Sequence, residues 1–265
     1  MIIARGVTLR YRHKTVLEGL EFAAHAGELT AIVGPNGSGK TSLLKTLTGE
    51  VRCTGDIRVA GCNIATTPAW ELASIRAVLP QSTPMSFPFQ AIEVVRLGLA
   101  QSISDDSNLP HRALARVGLS GYEARYYQEL SGGEQQRVQL ARVLCQVWEP
   151  KISGQPRWLL LDEPVSSLDI GHQLHVMQIA REYADAGGGV VAVMHDLNLS
   201  AMFADRVVLM KSGRVVADGV PEVVLTDEKL SHTYDCRIRT RTPPASRNWY
   251  LIPQAAYRDD FDTAR

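Results

Sequence analysis

The stretch Gly34 to Ser42, GPNGSGKTS, constrains this chain more than any other. It follows the apolar run Leu29-Thr30-Ala31-Ile32-Val33, which reads as a buried strand. It precedes Leu43, Leu44 and Leu47, spaced along one helix face that Gly49 can close. A strand, a glycine-rich turn and a helix in that order form the phosphate-binding loop pattern: glycine, four residues, glycine, lysine, then serine or threonine. Across Gly34, Pro35, Asn36, Gly37, Ser38 and Gly39, the glycines leave backbone N–H groups free to point at a phosphate that side chains would block. The helix start adds partial positive charge. Lys40 supplies a full charge for the outer phosphates, and the Thr41 hydroxyl, next to Ser42, can ligate Mg2+.

The rest of the chain must accommodate that unit. With 265 residues and 45% hydrophobic content, one large domain or a core with a subdomain can bury a centre. The 28 basic residues balance 28 acidic ones, which gives no electrostatic reason to expect nucleic acid as a partner. Cys53, Cys62, Cys145 and Cys236 form no CxxC pair, so four reduced thiols are expected rather than a zinc or redox site. The N-terminus carries charges too early for a signal peptide, and no run of about 18 apolar residues occurs. A soluble protein is therefore expected, which would work at a membrane only by binding something embedded there.

In chain order, Ile2–Leu9 and Val16–Phe22 read as short strands joined by the polar turn Tyr11 to Lys14. Tyr11 is either a half-buried strand aromatic or a ring stacked on adenine. Asp56 to Gly61 and Ile75 to Leu79 read as strands, the second stopping at Pro80-Gln81, and Gln81 is either a surface residue or a metal contact. From Thr83 to about Pro150 the pattern turns helical: Ile92 to Leu99, a loop at Asp105 to Asn108, then helices over Arg112–Leu119 and Glu123–Leu130. Ser131 and Glu134 have capping-box spacing, and Gly132 and Gly133 bare the helix start: either an ordinary capped helix or a second anion site in one chain. Trp148 to Arg157 reads as a loop. Trp158 to Leu161 is an apolar strand ending in Asp162-Glu163, at the sheet end where ligands of open α/β folds gather. Asp162 can hold Mg2+ through water there, and Glu163 can polarise an attacking water. A helix over His172–Ala186 stops at three glycines, and Val190–Met194 is a strand ending in His195-Asp196. Val207–Met210 and Val215–Ala217 make a hairpin, and the last forty residues read as a polar appendage frayed at Asp259 to Arg265. The absence of an NKxD-type guanine-reading motif counts against a GTPase.

Five of these elements, GPNGSGKT, LSGGE at Leu130 to Glu134, LLLDEP at Leu159 to Pro164, SSLD at Ser166 to Asp169 and HD at His195-Asp196, occur in order. Together they resemble the ATP-binding subunit of ABC transporters, over residues 2 to about 240. The resemblance implies an α/β fold: a P-loop NTPase (RecA-like) core, an N-terminal antiparallel β subdomain and an inserted α-helical subdomain. It implies a nucleotide-binding core at 2–82 and 157–240, a helical insert at 83–156 and an appendage at 241–265. ATP and Mg2+ are the implied cofactors. Tyr11 would be the adenine-stacking aromatic, Gln81 a Mg2+ contact that signals to the membrane subunits, Glu163 the general base and His195 the switch histidine. Ser131, Gly132, Gly133 and Glu134 would meet ATP held by the second copy of a head-to-tail dimer, with Asp169 across that interface. Valine at 165 departs from the threonine common there.

HDLNLS from His195 to Ser200 and Phe87-Pro88-Phe89 are similar to ATPases of iron-chelate, haem and cobalamin importers. The long loop before Trp158 resembles that of hemin import ATP-binding proteins. Expected partners are two permease subunits, met around Gln81 to Phe89, and indirectly a periplasmic haem-binding protein. The expected place is the cytoplasmic face of the inner membrane. A ferric-siderophore or cobalamin importer would use the same ATPase. A soluble ABC-type ATPase acting on nucleic acid or ribosomes would need a long coiled-coil insert or a tandem copy, and neither is present.

Overall fold

The structure is a computed structural model that describes residues 1–83, 85, 87–99 and 106–243. Strands β1 (Ile2–Tyr11) and β2 (Lys14–Ala24) form an antiparallel hairpin. The register shifts between Ala4 and Val7, which keeps Ile2, Ala4, Val7 and Leu9 on one buried face despite the two residues between. After β3 (Leu29–Val33) and α1 (Lys40–Leu47), β4 (Thr54–Val59) returns to pair with β1, and β5 (Cys62–Asn63) with β4. This four-stranded sheet, ordered β2-β1-β4-β5, is the antiparallel subdomain expected from the resemblance.

Helix α2 (Ala69–Ile75) runs directly into β6 (Arg76–Leu79). Next come α3 (Ala91–Leu99), α4 (Leu109–Arg116) and α5 (Gly132–Gln146), then a small hairpin of β7 (Lys151–Ile152) and β8 (Gln155–Pro156). The chain re-enters the main sheet with β9 (Trp158–Asp162), α6 (Ile170–Asp185), β10 (Gly189–Val193) and α7 (Leu197–Phe203). It ends in β11 (Arg206–Lys211), β12 (Arg214–Gly219), α8 (Pro221–Val224) and α9 (Asp227–Tyr234).

The six-stranded sheet is ordered β12-β11-β3-β10-β9-β6. Its neighbours pair in parallel except the edge strand β12. Because successive side chains face opposite ways, each central strand feeds two cores. Leu159, Leu161, Val190 and Ala192 pack with the helical insert and α6. Trp158, Leu160, Val191 and Val193 pack with α1 and the antiparallel sheet. This two-sided burial explains why the strands read as unbroken apolar runs. Trp158 is wholly buried and lies beside its register partner Gly189, where an added Cβ would come within 2.3 Å of the indole ring.

Several local readings differ from the structure. Glu123–Leu130 is not a helix: the backbone N–H groups of Ala91 and Tyr127 bond to Arg125 and Phe89, so this segment pairs with 89–91 and keeps only a one-turn 3-10 helix, Tyr127–Glu129. The helix expected over Arg112–Leu119 starts earlier, at Leu109, with Pro110 in its first turn, where a missing N–H costs nothing. The expected loop 148–157 contains the β7–β8 hairpin, and helices α2, α7, α8 and α9 add to the expected set. Asp105 and the expected frayed end at Asp259 to Arg265 lie outside the described residues. Among the described residues, no helix is long and apolar enough to cross a membrane.

Candidate nucleotide site

Four parallel strands deliver the singled-out residues to one edge of the sheet. β3 leads into Gly34, β6 to Gln81, β9 to Asp162 and Glu163, and β10 to His195. That is the edge where ligands of open α/β sheets bind.

The loop Gly34–Gly39 turns between β3 and α1 under tight constraint. Gly34 has φ +151°, and a Cβ there would lie 2.2 Å from the Met210 carbonyl oxygen, so β11 leaves no room for a side chain. Gly39 caps α1 in the left-handed region at φ +102°. Lys40 is buried and its Nζ donates to the carbonyls of Gly34 (2.8 Å) and Pro35 (3.1 Å), which bends the ammonium back over the loop. Burial lowers the Lys40 pKa, and the charges of Glu163 and Asp162 oppose that shift.

Behind Lys40, the Thr41 hydroxyl donates to Asp162 Oδ1 at 3.1 Å. Asp162 is buried, which raises its pKa; the Thr41 bond pulls it down and the neighbouring Glu163 pushes it up. A buried carboxylate against a hydroxyl in the helix turn that follows a phosphate loop is a donor set suited to a hard cation. Among the described residues no group of three or more His, Cys, Asp or Glu could hold a metal alone.

Glu163 has φ +53°, a left-handed conformation uncommon for a residue with a Cβ. Its N–H donates to Val193 O at 3.1 Å and its carbonyl accepts from Gln136 Nε2 at 2.9 Å. Its carboxylate meets two side chains: Gln81 Nε2 donates to Oε2 at 3.0 Å, and His195 Nε2 lies 2.5 Å from Oε1. The structure thus brings Gln81, Glu163 and His195 into one chain of contacts.

The cleft beside these groups has a volume of about 490 Å³. Asn36, Gly37, Gly39, Lys40, Thr41 and Ser42 line it, with Glu163 and His195; Gly34, Pro35 and Ser38 do not. Tyr11 ends β1 with 47% of its surface exposed and does not line the cleft. The wall on that side is Lys14, Thr15 and Val16, and the Ser212-Gly213 turn completes it. Sequence reasoning passed over these five, because a strand start and a hairpin turn carry no chemical signature. It also passed over Tyr234 on α9, whose half-buried phenol has its pKa raised by desolvation while a hydrogen bond from the Gly34 backbone opposes the rise.

The second expected anion site stands apart from this cleft. Ser131 caps α5 in a reciprocal box: its Oγ accepts from the Glu134 N–H at 3.3 Å, and Glu134 Oε2 accepts from the Ser131 N–H at 2.8 Å. The hydrogen bonds from Ser131 lower the Glu134 pKa. Ser131 and Gly132 are exposed, and a Cβ at Gly132 would meet nothing within 4 Å. Asp169 caps α6 by accepting from the His172 N–H at 2.9 Å, a bond that lowers its pKa. Neither Ser131 to Glu134 nor Asp169 lines the chain's own cleft. In the expected docking stretch, Phe87 is exposed and Phe89 half-buried, ring centroids 6.3 Å apart, while positions 84 and 86 lie outside the described residues.

The sequence pattern of the family described as ABC transporter matches residues 17–166. The hemin import ATP-binding protein HmuV of Jannaschia sp. (strain CCS1) is 58% identical over 97% of this chain and 96% of its own length. Its namesakes from Ruegeria sp. (strain TM1040) and Mesorhizobium japonicum are 56% and 54% identical, covering 96% and 97% of this chain and 98% and 99% of their own. An ATP-binding subunit of an ABC transporter superposes with a TM-score of 0.74 at 21% identity, over 89% of this chain and 94% of its own. A dimeric, post-hydrolysis ATP-binding cassette bound to ADP and phosphate gives 0.72 at 24% identity, over 83% and 99%. These structures share the P-loop NTPase fold described above. With a matching pattern across more than half its length and such relatives across nearly all of it, the chain belongs to the ABC transporter family, among its ATP-binding proteins.

Proposed function

We propose that this chain is the ATP-hydrolysing subunit of a hemin importer. One observation carries the chemistry: the phosphate cradle of Gly34–Ser42, the buried Asp162 and the clamped Glu163 converge on one sheet edge. The cargo rests on relatives 51–58% identical over nearly the whole chain, each named for hemin import.

In this reading, backbone N–H groups of the loop and the Lys40 ammonium bind the phosphates, and the Tyr11 ring stacks on adenine. Thr41, Asp162 and Gln81 would hold Mg2+, which when bound neutralises charge on the phosphate oxygens. Glu163 accepts a proton from the attacking water at a carboxylate oxygen, and the water oxygen bonds to the terminal phosphorus as ADP leaves. His195 orients Glu163 and faces the terminal phosphate. Ser131, Gly132, Gly133 and Glu134, which do not line their own cleft, reach ATP held by a second copy in a head-to-tail dimer, with Asp169 at the same interface. Residues 2–82 and 157–240 form the nucleotide-binding core, 83–156 the helical insert and 241–265 an appendage. The stretch from Gln81 to Phe89 docks two permease subunits at the cytoplasmic face of the inner membrane, and a periplasmic haem-binding protein delivers cargo from the far side. Nucleic acid has no place in this scheme.

The test is reconstitution with the permease in liposomes carrying labelled haem. The wild-type chain should hydrolyse ATP and drive uptake; Glu163→Gln should bind ATP, stop turnover and accumulate dimer on a sizing column. Wild-type turnover in Glu163→Gln would remove Glu163 as base. Uptake of a ferric siderophore without haem would overturn the cargo.

A further inference from the structure

One side chain joins the tip of α5 to the backbone that carries Glu163. Gln136 lies in the first two turns of α5 and uses both ends of its amide. Its Nε2 donates to Glu163 O at 2.9 Å, and its Oε1 accepts from the Ser167 N–H at 3.3 Å. The partners are 27 and 31 residues away in sequence, so this is a tertiary clasp and not helix capping.

The clasped segment is a tight unit. The Glu163 carbonyl also accepts from the Ser166 N–H (3.3 Å) and Oγ (3.2 Å). Leu168 N–H closes the next turn on Val165 O at 3.3 Å, and Asp169 begins α6. On the other side α5 sits so close that a Cβ on Gly133 would come within 3.1 Å of Ser167 O. A displacement of the α5 tip is therefore passed to residues 163–167 through hydrogen bonds and contact, with no flexible linker between. Glu163 is the residue most sensitive to it, since its left-handed φ of +53° is held by the bonds on either side of it.

We propose that Gln136 is a positioning residue that couples the α5 tip to the orientation of the Glu163 carboxylate in the same chain. This rests on the reading above, in which that tip meets the nucleotide of the partner copy. Each copy then clamps its partner's ATP with the same helix that sets its own base, so the two clefts turn over in concert.

Steady-state ATP hydrolysis of the full chain tests this, with Gln136→Leu removing both bonds and the near-isosteric Gln136→Glu removing only the donor toward Glu163. Both should lower kcat about tenfold, the scale of one lost hydrogen bond expressed in the transition state. ATP affinity of the isolated chain should stay within about twofold, because no cradle group is touched, and the Hill coefficient should fall toward one. A kcat within about twofold of wild type with an unchanged Hill coefficient in either variant overturns the coupling. So does a parallel loss of kcat, affinity and melting temperature, which is the mark of a merely structural residue. A wild-type chain without ATPase activity would overturn the functional reading itself, whereas an active wild type with insensitive Gln136 variants overturns this inference alone.

Discussion

The backbone at Glu163 makes a stability prediction opposite to the usual order of residues. Alanine is normally preferred to glycine in regular structure, by about 0.5–1 kcal/mol. At φ +53° the balance reverses, because a Cβ in the left-handed region costs roughly 1–2 kcal/mol. Glu163→Ala and Glu163→Gly lose the same contacts to Gln81 and His195, so those losses cancel in the comparison. What remains is the Cβ in a backbone pinned by Val193, Gln136 and Ser166. Glu163→Gly should then be the more stable of the two by about 1 kcal/mol, or about 2–4 °C for a chain of this size. Thermal unfolding by circular dichroism without nucleotide measures it, and neither variant should hydrolyse ATP. An alanine variant that melts at or above the glycine variant would show that residue 163 is not held left-handed, and the clasp on its carbonyl would lose its purpose.

Substitutions at two further residues probe the site. Burial raises the Asp162 pKa above its usual 3.8, so the fold favours the protonated form: the group's contribution is present in acid and is lost as pH rises through the raised pKa. Asp162→Asn, which still accepts from Thr41, should therefore melt above wild type near neutral pH, with the gap closing toward about pH 4, while Mg2+-dependent turnover falls at least about a hundredfold. Calorimetry across pH checks the first half, and equal melting at every pH would refute it. Tyr11→Ala should weaken ATP binding roughly tenfold by titration calorimetry and Tyr11→Phe should not, because stacking needs the ring alone; equal affinities in all three would free Tyr11 of that role.

The features legible in the sequence were those written in contiguous residues. The cradle at Gly34–Ser42, the box at Ser131 and Glu134, and the apolar runs of β3, β9 and β10 each carry their pattern within one element. What escaped depends on contacts between distant segments. Nothing local in Glu123–Leu130 opposes a helix; its hydrogen bonds go instead to residues 89–91. Gln136 carries no local chemical signature, and only the fold brings Glu163 and Ser167 to its two ends. Tyr234 sat in a tail read as polar appendage, yet α9 packs it against the first glycine of the cradle. Lys14 to Val16 and Ser212-Gly213 acquire their place only because β2 and the β11–β12 turn border the cleft.

The pairing of Trp158 with Gly189 constrains how descendants of this chain can vary. The indole fills the volume that any larger residue at 189 would need, so the two positions conserve a shared volume rather than separate identities. A lineage exchanging them one at a time must pass through either a steric clash or a void in its innermost layer. Substitutions there should accordingly be inherited as matched pairs, large against small, in either order.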